Sequence, residues 1–437
     1  MKKVYIAMSA DVLHNGHINI IKEGTKYGEV IIGLLTDKAI SSYKRLPLLD
    51  YNERLAIFQN IKGVSSVVAQ DSLDYTENLL KIKPDYVVHG DDWRCGVQKR
   101  VRQNVIDTLS KWGGQLIEVP YTNDISCTEI EKKYRDLVNT PENRRAKLRK
   151  MLSLKPFVSV MEASNGLSGL IVENTRVIDE ENDAVKEFDC MWVSSLCDSS
   201  FKGKPDIELV DLTSRLRTIE EIMEVTTKPI ILDGDTGGKI EHFTYNVKTL
   251  ERLGVSAIII EDKTGLKQNS LFGTSAKQVL DDPHAFASKI FAGKSAQITK
   301  DFLIFARIEA LIAGYGIDEA MRRAKIYIEE GGADGIMIHS KEKDGTEIKE
   351  FLRQFRDYSK EIPVILVPTS YNEFKEEELA GWGANIIIHA NHMLRSAYPA
   401  MKNCAESILK NHRSLEASRE YCISIKEVLD LIPGTKQ

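Results

Sequence analysis

The chain has 437 residues, of which 42% are hydrophobic, and it carries a formal net charge of -5. This length favours two or more domains with sizeable cores, and the acidic balance argues against a protein that binds nucleic acid. The six cysteines show no metal-type pairing, which predicts reduced thiols. Because we find neither a signal segment nor an apolar run long enough to span a bilayer, we expect a cytoplasmic protein with no membrane partner.

The first 135 or so residues alternate apolar runs with helical segments, which predicts a Rossmann-like, doubly wound α/β domain. The predicted strands are 4–7, 30–35, 66–69, 86–89 and 115–119. After the first strand, a His-x-Gly-His motif opens a helix with His14 and His17 on one side. Gly16 allows a phosphate to approach the backbone, and the helix N-terminus attracts its charge. Two imidazole donors would stabilise the charge that develops when an α-phosphate is attacked.

Other polar residues accompany this motif. They are Ser9 and Asp11 before it, Lys44 and Arg45 after the second strand, Asp91 after the fourth strand, and Ser126 and Thr128 at a later helix start. With the histidines, this set resembles the cytidylyltransferase family typified by glycerol-3-phosphate cytidylyltransferase. The resemblance implies that His14 and His17 are catalytic and that the accompanying residues bind CTP. Taken alone, Lys44 and Arg45 would usually be a solvated pair, and Ser126 is also the first residue of a capping box.

A polar, highly charged segment follows the first domain, and we place a linker there, at 136–151, between domains at 1–135 and 152–437. In the second domain, eight apolar runs that each end in polar or charged residues alternate with amphipathic stretches. They lie at 157–163, 190–195, 229–235, 257–262, 303–310, 335–340, 363–369 and 385–390. This pattern predicts a (β/α)8 TIM-type barrel, whose chemistry gathers at the C-terminal ends of its strands.

Carboxylates follow two neighbouring predicted strands of the barrel. Asp233 and Asp235 end the third run, and Glu261 ends the fourth. Three carboxylates at adjacent strand ends indicate a hard divalent cation, most simply Mg²⁺. Considered alone, paired acids in a Gly-rich turn are often only turn and cap residues. An arginine such as Arg307 is likewise often salt-bridged to an acid at a strand end.

The segment 261–270 reads Glu-Asp-Lys followed by Lys-x-Asn-Ser, and it is accompanied by distinctive segments at 161–168, 233–237 and 306–310. Together they resemble the phosphoenolpyruvate mutase and isocitrate lyase superfamily over roughly 152–431. The resemblance implies interconversion of phosphoenolpyruvate and phosphonopyruvate, with Mg²⁺ as cofactor. Related lyases carry a Cys-bearing loop here, and a related hydrolase resembles a version with Thr at the position of Asn269. Asn269 therefore favours the mutase.

The resemblance also implies roles for individual residues. Asp233 would bind Mg²⁺ directly, and Asp235 and Glu261 would hold its waters. Lys267 and Asn269 would lie on a lid that closes to exclude water. The other implied residues are Asp211, Arg307 and His339 around the phosphoryl group, and Trp192, Ser194, Ser195, Leu196 and Ser270 around the substrate, with the backbone amides of 194–196 on its carboxylate.

Together the two halves resemble a bifunctional enzyme of phosphonate biosynthesis, with a cytidylyltransferase fused ahead of a phosphoenolpyruvate mutase. The implied partners are phosphoenolpyruvate or phosphonopyruvate, and CTP with a phosphonate or phosphate acceptor such as 2-hydroxyethylphosphonate. Two alternatives remain open. The first half could be a non-catalytic nucleotide-sensing module, and the barrel could be a hydrolase or lyase. Since barrels of this superfamily usually form dimers or tetramers, we also expect a homo-oligomer.

Overall fold

A computed structural model describes residues 1–94, 98–120, 139–179, 184–264, 267–270 and 279–432. The first half contains a five-stranded parallel sheet with strand order β3-β2-β1-β4-β5. Its strands are β1 (Lys3–Met8), β2 (Glu29–Leu35), β3 (Val64–Gln70), β4 (Tyr86–Gly90) and β5 (Gln115–Val119). Its helices are α1 (Asn15–Thr25), α2 (Asp37–Ser41), α3 (Tyr51–Gln59), α4 (Thr76–Ile82) and α5 (Lys99–Ser110). The predicted Rossmann-like domain is confirmed.

The second half contains a closed barrel of eight parallel strands. They are β6 (Val158–Glu162), β9 (Cys190–Val193), β10 (Ile230–Asp233), β11 (Ala257–Glu261), β12 (Leu303–Ile308), β13 (Gly335–Ile338), β14 (Val364–Leu366) and β15 (Ile386–His389); β7 (Val177–Asp179) and β8 (Ala184–Lys186) form a separate antiparallel pair. The helices are α6 (Pro141–Leu154), α7 (Gly166–Asn174), α8 (Ser195–Phe201), α9 (Leu212–Met223), α10 (Ile240–Leu253), α11 (Pro283–Ala296), α12 (Gly316–Glu329), α13 (Thr346–Tyr358), α14 (Glu376–Gly381), α15 (His392–Asn411), α16 (Leu415–Glu420) and α17 (Ile425–Leu431). The predicted TIM-type barrel is confirmed.

The barrel strands are apolar on both faces, which explains why the sequence shows unbroken apolar runs rather than alternation. Ile231 and Ile259 point into the barrel and pack in its interior core. Their neighbours Leu232 and Ile258 pack in a second core, between the strands and the surrounding helices. Neither core can accept a charge cheaply, so polar residues appear only where each strand ends.

Much of the charged segment predicted as a linker belongs to helix α6, which packs against the barrel. Leu148 and Met151 are buried in the core that fills the barrel interior. The guanidinium of Arg144 donates to the carbonyl of Thr226 (3.2 Å), and that of Arg145 donates to a carbonyl at the end of α10 (2.6 Å). The charges of this segment therefore satisfy backbone groups at the N-terminal end of the barrel.

The N-terminal domain packs against the same end of the barrel. Leu46, from the loop after α2, is 8% exposed and shares a core with Val158 at the start of β6. Arg45 pairs with Glu187, which precedes β9. The C-terminal ends of the barrel strands lie on the opposite side, one strand length away, or about 17 Å. None of the described helices has the length and apolar character needed to cross a membrane.

Candidate active sites

The C-terminal ends of the barrel strands surround a cavity of about 60 Å³. Most residues that the sequence predicts for a barrel site line it. They are Trp192, Ser194, Ser195, Leu196, Asp233, Lys267, Asn269, Ser270, Arg307 and His339. These side chains come from the ends of β9, β10 and β12, from the residues that directly follow β9 and β13, and from the segment 267–270. Only the closed barrel brings them together.

The three predicted metal-binding carboxylates are all buried at this end of the barrel. Burial alone would raise the pKa of Asp233, but nearby cations, Lys267 first among them, lower it to about 2. Burial raises the pKa of Asp235, and it raises that of Glu261 to about 7. The cluster therefore contains one carboxylate that stays ionised and two whose ionisation depends on a neighbouring positive charge.

The carboxylates fit a hydrated Mg²⁺. Neither oxygen of the buried Glu261 side chain has a hydrogen-bond partner among the described residues, which is unusual for a buried carboxylate. Oxygen donors of this kind suit a hard cation. Within the same described residues, no three Asp, Glu, His or Cys side chains are close enough to ligate one ion together. Direct binding of Mg²⁺ by Asp233, with contacts through water from Asp235 and Glu261, stays a prediction.

Lys267 supplies positive charge to the carboxylate cluster. Its ammonium donates to the hydroxyl of Ser195 (2.6 Å), to Asp206 (3.1 Å) and to the carboxylate of Asp235. Although burial disfavours its charge, Asp233 and Asp235 raise the pKa of Lys267 well above its ordinary value. Asp233 is itself held by the hydroxyl (2.8 Å) and the backbone amide (3.2 Å) of Ser195.

Arg307 is fixed by acids and a hydroxyl at the same rim. Its guanidinium donates to Glu309 (2.5 Å) and to the hydroxyl of Ser270 (2.6 Å), and it lies 3.3 Å from Glu261. Lys263 also donates to Ser270, at 2.8 Å. Arg307 is thus salt-bridged, as arginines at strand ends often are, and it lines the cavity as well. A cation held in this way keeps its position when a ligand arrives.

Two ring nitrogens near the cavity lack hydrogen-bond partners among the described residues. They are Nε1 of Trp192 and Nδ1 of His339, and both residues line the cavity. Burial and the charge of Arg307 lower the pKa of His339 to about 4, so its imidazole is neutral near pH 7. Because buried polar groups are normally satisfied, these atoms indicate a polar ligand.

The structure places Asp206 at the cavity, and it does not bring Asp211 there. Asp206 accepts hydrogen bonds from Lys267 (3.1 Å) and from the side-chain amide of Asn269 (2.8 Å). Asp211 is exposed and caps helix α9, where it accepts from the backbone amide of Ser214 (3.1 Å). An Asp-x-x-Ser sequence at a helix start is a capping pattern, and that signal could have separated the two aspartates.

Arg215, which the sequence does not indicate as a site residue, donates hydrogen bonds to both Asp233 and Asp235. It is 4% exposed and donates to the backbone carbonyl of Asp233 and to the carboxylate of Asp235 (3.0 Å). A further bond reaches the carbonyl of Val193 (3.4 Å). Arg215 thereby ties the ends of β9 and β10 together. In the sequence it is one of two arginines on an amphipathic helix, so no local pattern identifies it.

In the N-terminal domain, the two histidines of the motif lie together at the start of α1. Their ring centroids are 4.0 Å apart. Nδ1 of His14 accepts the backbone N–H of Gly16 (3.1 Å), and Nδ1 of His17 accepts that of His14 (3.3 Å). In the neutral tautomers both protons therefore lie on Nε2. Burial, followed by the charges of His14 and Lys44, lowers the pKa of His17 to about 3. The motif thus presents two imidazole donors.

The histidines line a cavity of about 180 Å³, together with Ser9. Lys44 reaches this region by donating to the hydroxyl of Ser9 (3.2 Å). Asp91 begins a 3-10 helix just after β4, and its neighbour Asp92 lines the cavity. Of the predicted residues, Ser9, His14 and His17 therefore line a cavity at the C-terminal edge of the sheet, where α/β proteins bind ligands. Lys44 bonds to one of them, and Asp91 does not line the cavity.

Two other predicted nucleotide-binding residues lie away from this cavity. The carboxylate of Asp11 is 2% exposed and accepts the backbone amides of Leu48 (2.6 Å) and Leu49 (3.2 Å). Arg45 points toward the barrel, where it binds Glu173 and Glu187. Both residues also line a third cavity, of about 980 Å³, between the domains. Ser126 and Thr128 fall outside the described residues.

Comparison with known proteins gives a match for each half of the chain. A family model for phosphoenolpyruvate phosphomutase matches residues 148–409, and a cytidylyltransferase-like model matches residues 9–133. Phosphoenolpyruvate phosphomutase of Tetrahymena pyriformis is 36% identical over 285 residues, which are 65% of this chain and 89% of that protein. Phosphonopyruvate hydrolase of Variovorax sp. (strain Pal2) is 36% identical over 248 residues, or 56% and 83%. A crystal structure of phosphonopyruvate hydrolase with oxalate and Mg²⁺ is 31% identical, with a TM-score of 0.57, and the match covers 67% of this chain and 94% of that one.

Proposed function

Since the chain belongs to the phosphoenolpyruvate phosphomutase family, we propose that its barrel interconverts phosphoenolpyruvate and phosphonopyruvate with Mg²⁺. The observation that carries this proposal is the buried set of charges at the barrel rim. Asp233 and Glu261 supply negative charge, and Arg307 supplies a fixed positive charge beside the same cavity. Such a set suits a reaction in which a phosphoryl group leaves one atom of the substrate and joins another.

The phosphoryl group moves from the enol oxygen of phosphoenolpyruvate to C3 of the resulting enolate. Arg307, locked by Glu309 and Ser270, would hold the charge of the travelling group, and the side-chain amide of Asn269 would donate to it. His339, neutral and buried, directs its one ring N–H to the backbone carbonyl of Val367, so its unpartnered Nδ1 would accept a hydrogen bond from the bound ligand. Mg²⁺ held by Asp233 would supply Lewis-acid stabilisation of the enolate oxygens.

Exclusion of water decides whether such a site acts as a mutase or as a hydrolase. Lys267 and Asn269, on one short segment, both donate to Asp206, so this segment is tied across the cavity mouth. A closed segment keeps water from the phosphoryl group before C3 recaptures it. The resemblance implies that phosphonopyruvate hydrolases carry Thr at the position of Asn269. A threonine has no side-chain amide to donate to Asp206, so the contact made by Asn269 favours the mutase.

Phosphorus NMR on purified protein with phosphonopyruvate and Mg²⁺ tests the barrel proposal. We expect the phosphonate signal to be replaced by that of phosphoenolpyruvate. Inorganic phosphate together with pyruvate would identify a hydrolase instead. Absence of any phosphorus product, in a protein shown to be folded, would overturn the proposal.

We further infer that the N-terminal domain transfers CMP from CTP to a phosphonate such as 2-hydroxyethylphosphonate. Two Nε2–H donors, from His14 and His17, face a cavity at the start of a helix, and Lys44 lies near them. This arrangement suits the negative charge that builds up on an attacked α-phosphate. A phosphonate acceptor is favoured because the barrel makes carbon–phosphorus bonds, which would place both domains in phosphonate biosynthesis.

A screen of acceptors tests the N-terminal proposal. CTP, Mg²⁺ and candidate phosphonates or phosphate esters are mixed with the full chain, and pyrophosphate release is measured. We expect release with at least one phosphonate, and a loss of about 10²-fold or more in His14→Ala, because one donor to the transition state is removed. Binding of CTP without release for any acceptor would instead support a nucleotide-sensing module.

The C-terminal helices support assembly into a homo-oligomer. Helix α15 has 20 residues, all of them described, and none is buried. Its apolar side chains include Tyr398 (65% exposed) and Leu409 (75% exposed), and the following helices expose more. A helix that leaves so much apolar surface uncovered needs a partner, and a second copy of the chain is the one we propose. Light scattering should therefore give a mass of a dimer or tetramer.

A further inference from the structure

One loop of the N-terminal domain, residues 43–49, contacts both the histidine-motif cavity and the barrel. Its first residue, Tyr43, lines the cavity of the histidine motif. Lys44 lines the cavity between the domains, and its ammonium donates to Ser9 (3.2 Å), which lines the histidine cavity. The charge of Lys44 also contributes to the lowered pKa of His17, after burial and His14. The next residue, Arg45, points to the barrel. Of these two adjacent cations, Lys44 thus bonds within the N-terminal domain and Arg45 bonds to the barrel.

The barrel holds Arg45 through all three of its guanidinium nitrogens. Nε donates to Glu187 (2.8 Å), and one terminal nitrogen donates to the Glu173 carboxylate (2.6 Å) and to Thr227 (3.2 Å). The other terminal nitrogen donates to the backbone carbonyl of Glu173 (2.9 Å). The side chain of Arg45 is 16% exposed, and those of the two acids are 13% and 12% exposed. Water therefore competes weakly for these bonds, and their geometry is specific to arginine.

The rest of the loop is pinned as well. Leu46 inserts beside Leu148 and Val158 in the barrel core. Two residues further on, the amides of Leu48 and Leu49 donate to the buried Asp11. The backbone on both sides of Lys44 therefore has little freedom. A lysine side chain is long and flexible, so its position depends mainly on where its backbone is held.

We propose that Arg45 is a positioning residue for the N-terminal site, with Glu173 and Glu187 of the barrel as its anchors. Anchored in this way, Lys44 meets the phosphates of a nucleoside triphosphate beside the histidine motif. The inference rests on the proposed function of the N-terminal domain and adds to it. The nucleotide site would be complete only when the barrel is docked against it.

The experiment measures binding of CTP with Mg²⁺ to the full chain by isothermal titration calorimetry. Arg45→Met keeps the unbranched apolar stem of the side chain and removes the guanidinium, with its charge and its bonds. We expect its dissociation constant for CTP to rise about tenfold, because Lys44 must then be ordered by the ligand. Arg45→Lys, which restores one charge without the fork of donors, should recover part of the loss. Phosphonopyruvate turnover in the same preparations should change by less than about twofold, as a check on the barrel fold.

The matched control is Arg176→Met. Arg176 approaches the same Glu187 carboxylate (3.5 Å) from within the barrel, on a side chain that is 52% exposed. We expect it to change CTP affinity by less than about twofold, since exposed pairs contribute little. Equal CTP affinities of Arg45→Met and the unchanged chain would overturn the inference, as would equal losses in Arg45→Met and Arg176→Met. If the unchanged chain binds no CTP, the proposed function of the domain fails first.

Discussion

The two candidate sites hold their charged groups by different means. At the barrel rim, Asp233 and Lys267 are buried, and the side chain of Arg307 is 12% exposed. All three bond to residues on the connections that follow barrel strands. At the histidine motif, the two imidazoles are fixed by backbone amides, and the nearby cation Lys44 is brought in by a loop. The charged groups of the barrel site are therefore held by residues of the barrel itself, whereas the cation of the N-terminal site lies on a loop that is anchored in the neighbouring domain.

The largest expected effect, confined to one of the two sites, comes from removing Asp233. We expect Asp233→Ala to lower phosphonopyruvate turnover by about 10³-fold or more, because the ionised metal ligand is lost. CTP-dependent pyrophosphate release in the same preparation should stay within about twofold, since the two sites lie at different ends of the barrel. Both rates can be followed by phosphorus NMR. Equal loss of both activities would show that the sites are not independent.

A smaller effect distinguishes the two aspartates of one loop. Asp206→Ala removes the acceptor shared by Lys267 and Asn269, so we expect kcat/KM to fall by about 10²-fold and some turnovers to end in inorganic phosphate as water enters. Asp211→Ala should instead cost about 1 kcal/mol of stability through loss of a helix cap. Its kcat/KM should remain within about twofold of the unchanged chain. A larger loss of kcat/KM in Asp211→Ala than in Asp206→Ala would show that Asp211, and not Asp206, acts at the site.

The smallest predicted effect is a pH dependence that only the barrel site should show. With a pKa raised by burial to about 7, Glu261 is mostly protonated at pH 6 and mostly ionised at pH 8. Since Mg²⁺ requires the ionised form, its dissociation constant should rise about tenfold from pH 8 to pH 6. Calorimetry on Glu261→Gln should show this rise abolished. His17, with a pKa lowered to about 3, is neutral throughout that range and should give CTP binding no corresponding step.

The architecture was predictable because it follows local rules. Each of the eight predicted runs contains one barrel strand, since a strand buried on both faces must be apolar and can carry charge only where it ends. The acids Asp233 and Glu261 were predicted for the same reason, as polar residues near the ends of two such runs, and they are the last residues of β10 and β11. The histidine motif was likewise local, because a strand, a tight turn and a helix start follow one another there.

Residues on loops and at the domain interface were not predictable in this way. Asp206 and Asp211 lie on the same connection. A capping pattern sets Asp211 apart, but nothing in the sequence indicates that Asp206 reaches Lys267. Lys44 and Arg45 are adjacent cations whose opposite directions depend on how the domains dock, and no periodicity records that. In the sequence, Arg144 and Arg145 belong to a charged segment that is typical of a solvent-exposed linker. In the structure both are buried, and backbone carbonyls at the N-terminal end of the barrel accept hydrogen bonds from them.

The placement of the N-terminal domain against the base of the barrel has a consequence for how metabolites travel. A phosphonate released at the rim emerges facing away from the histidine motif, with the whole barrel between the two openings. Under the proposed functions, fusion of the domains would therefore supply the two sites in equal amounts and would not provide a channel between them. Under the same proposal, intermediates would diffuse through solvent between the two sites, where other enzymes could modify them.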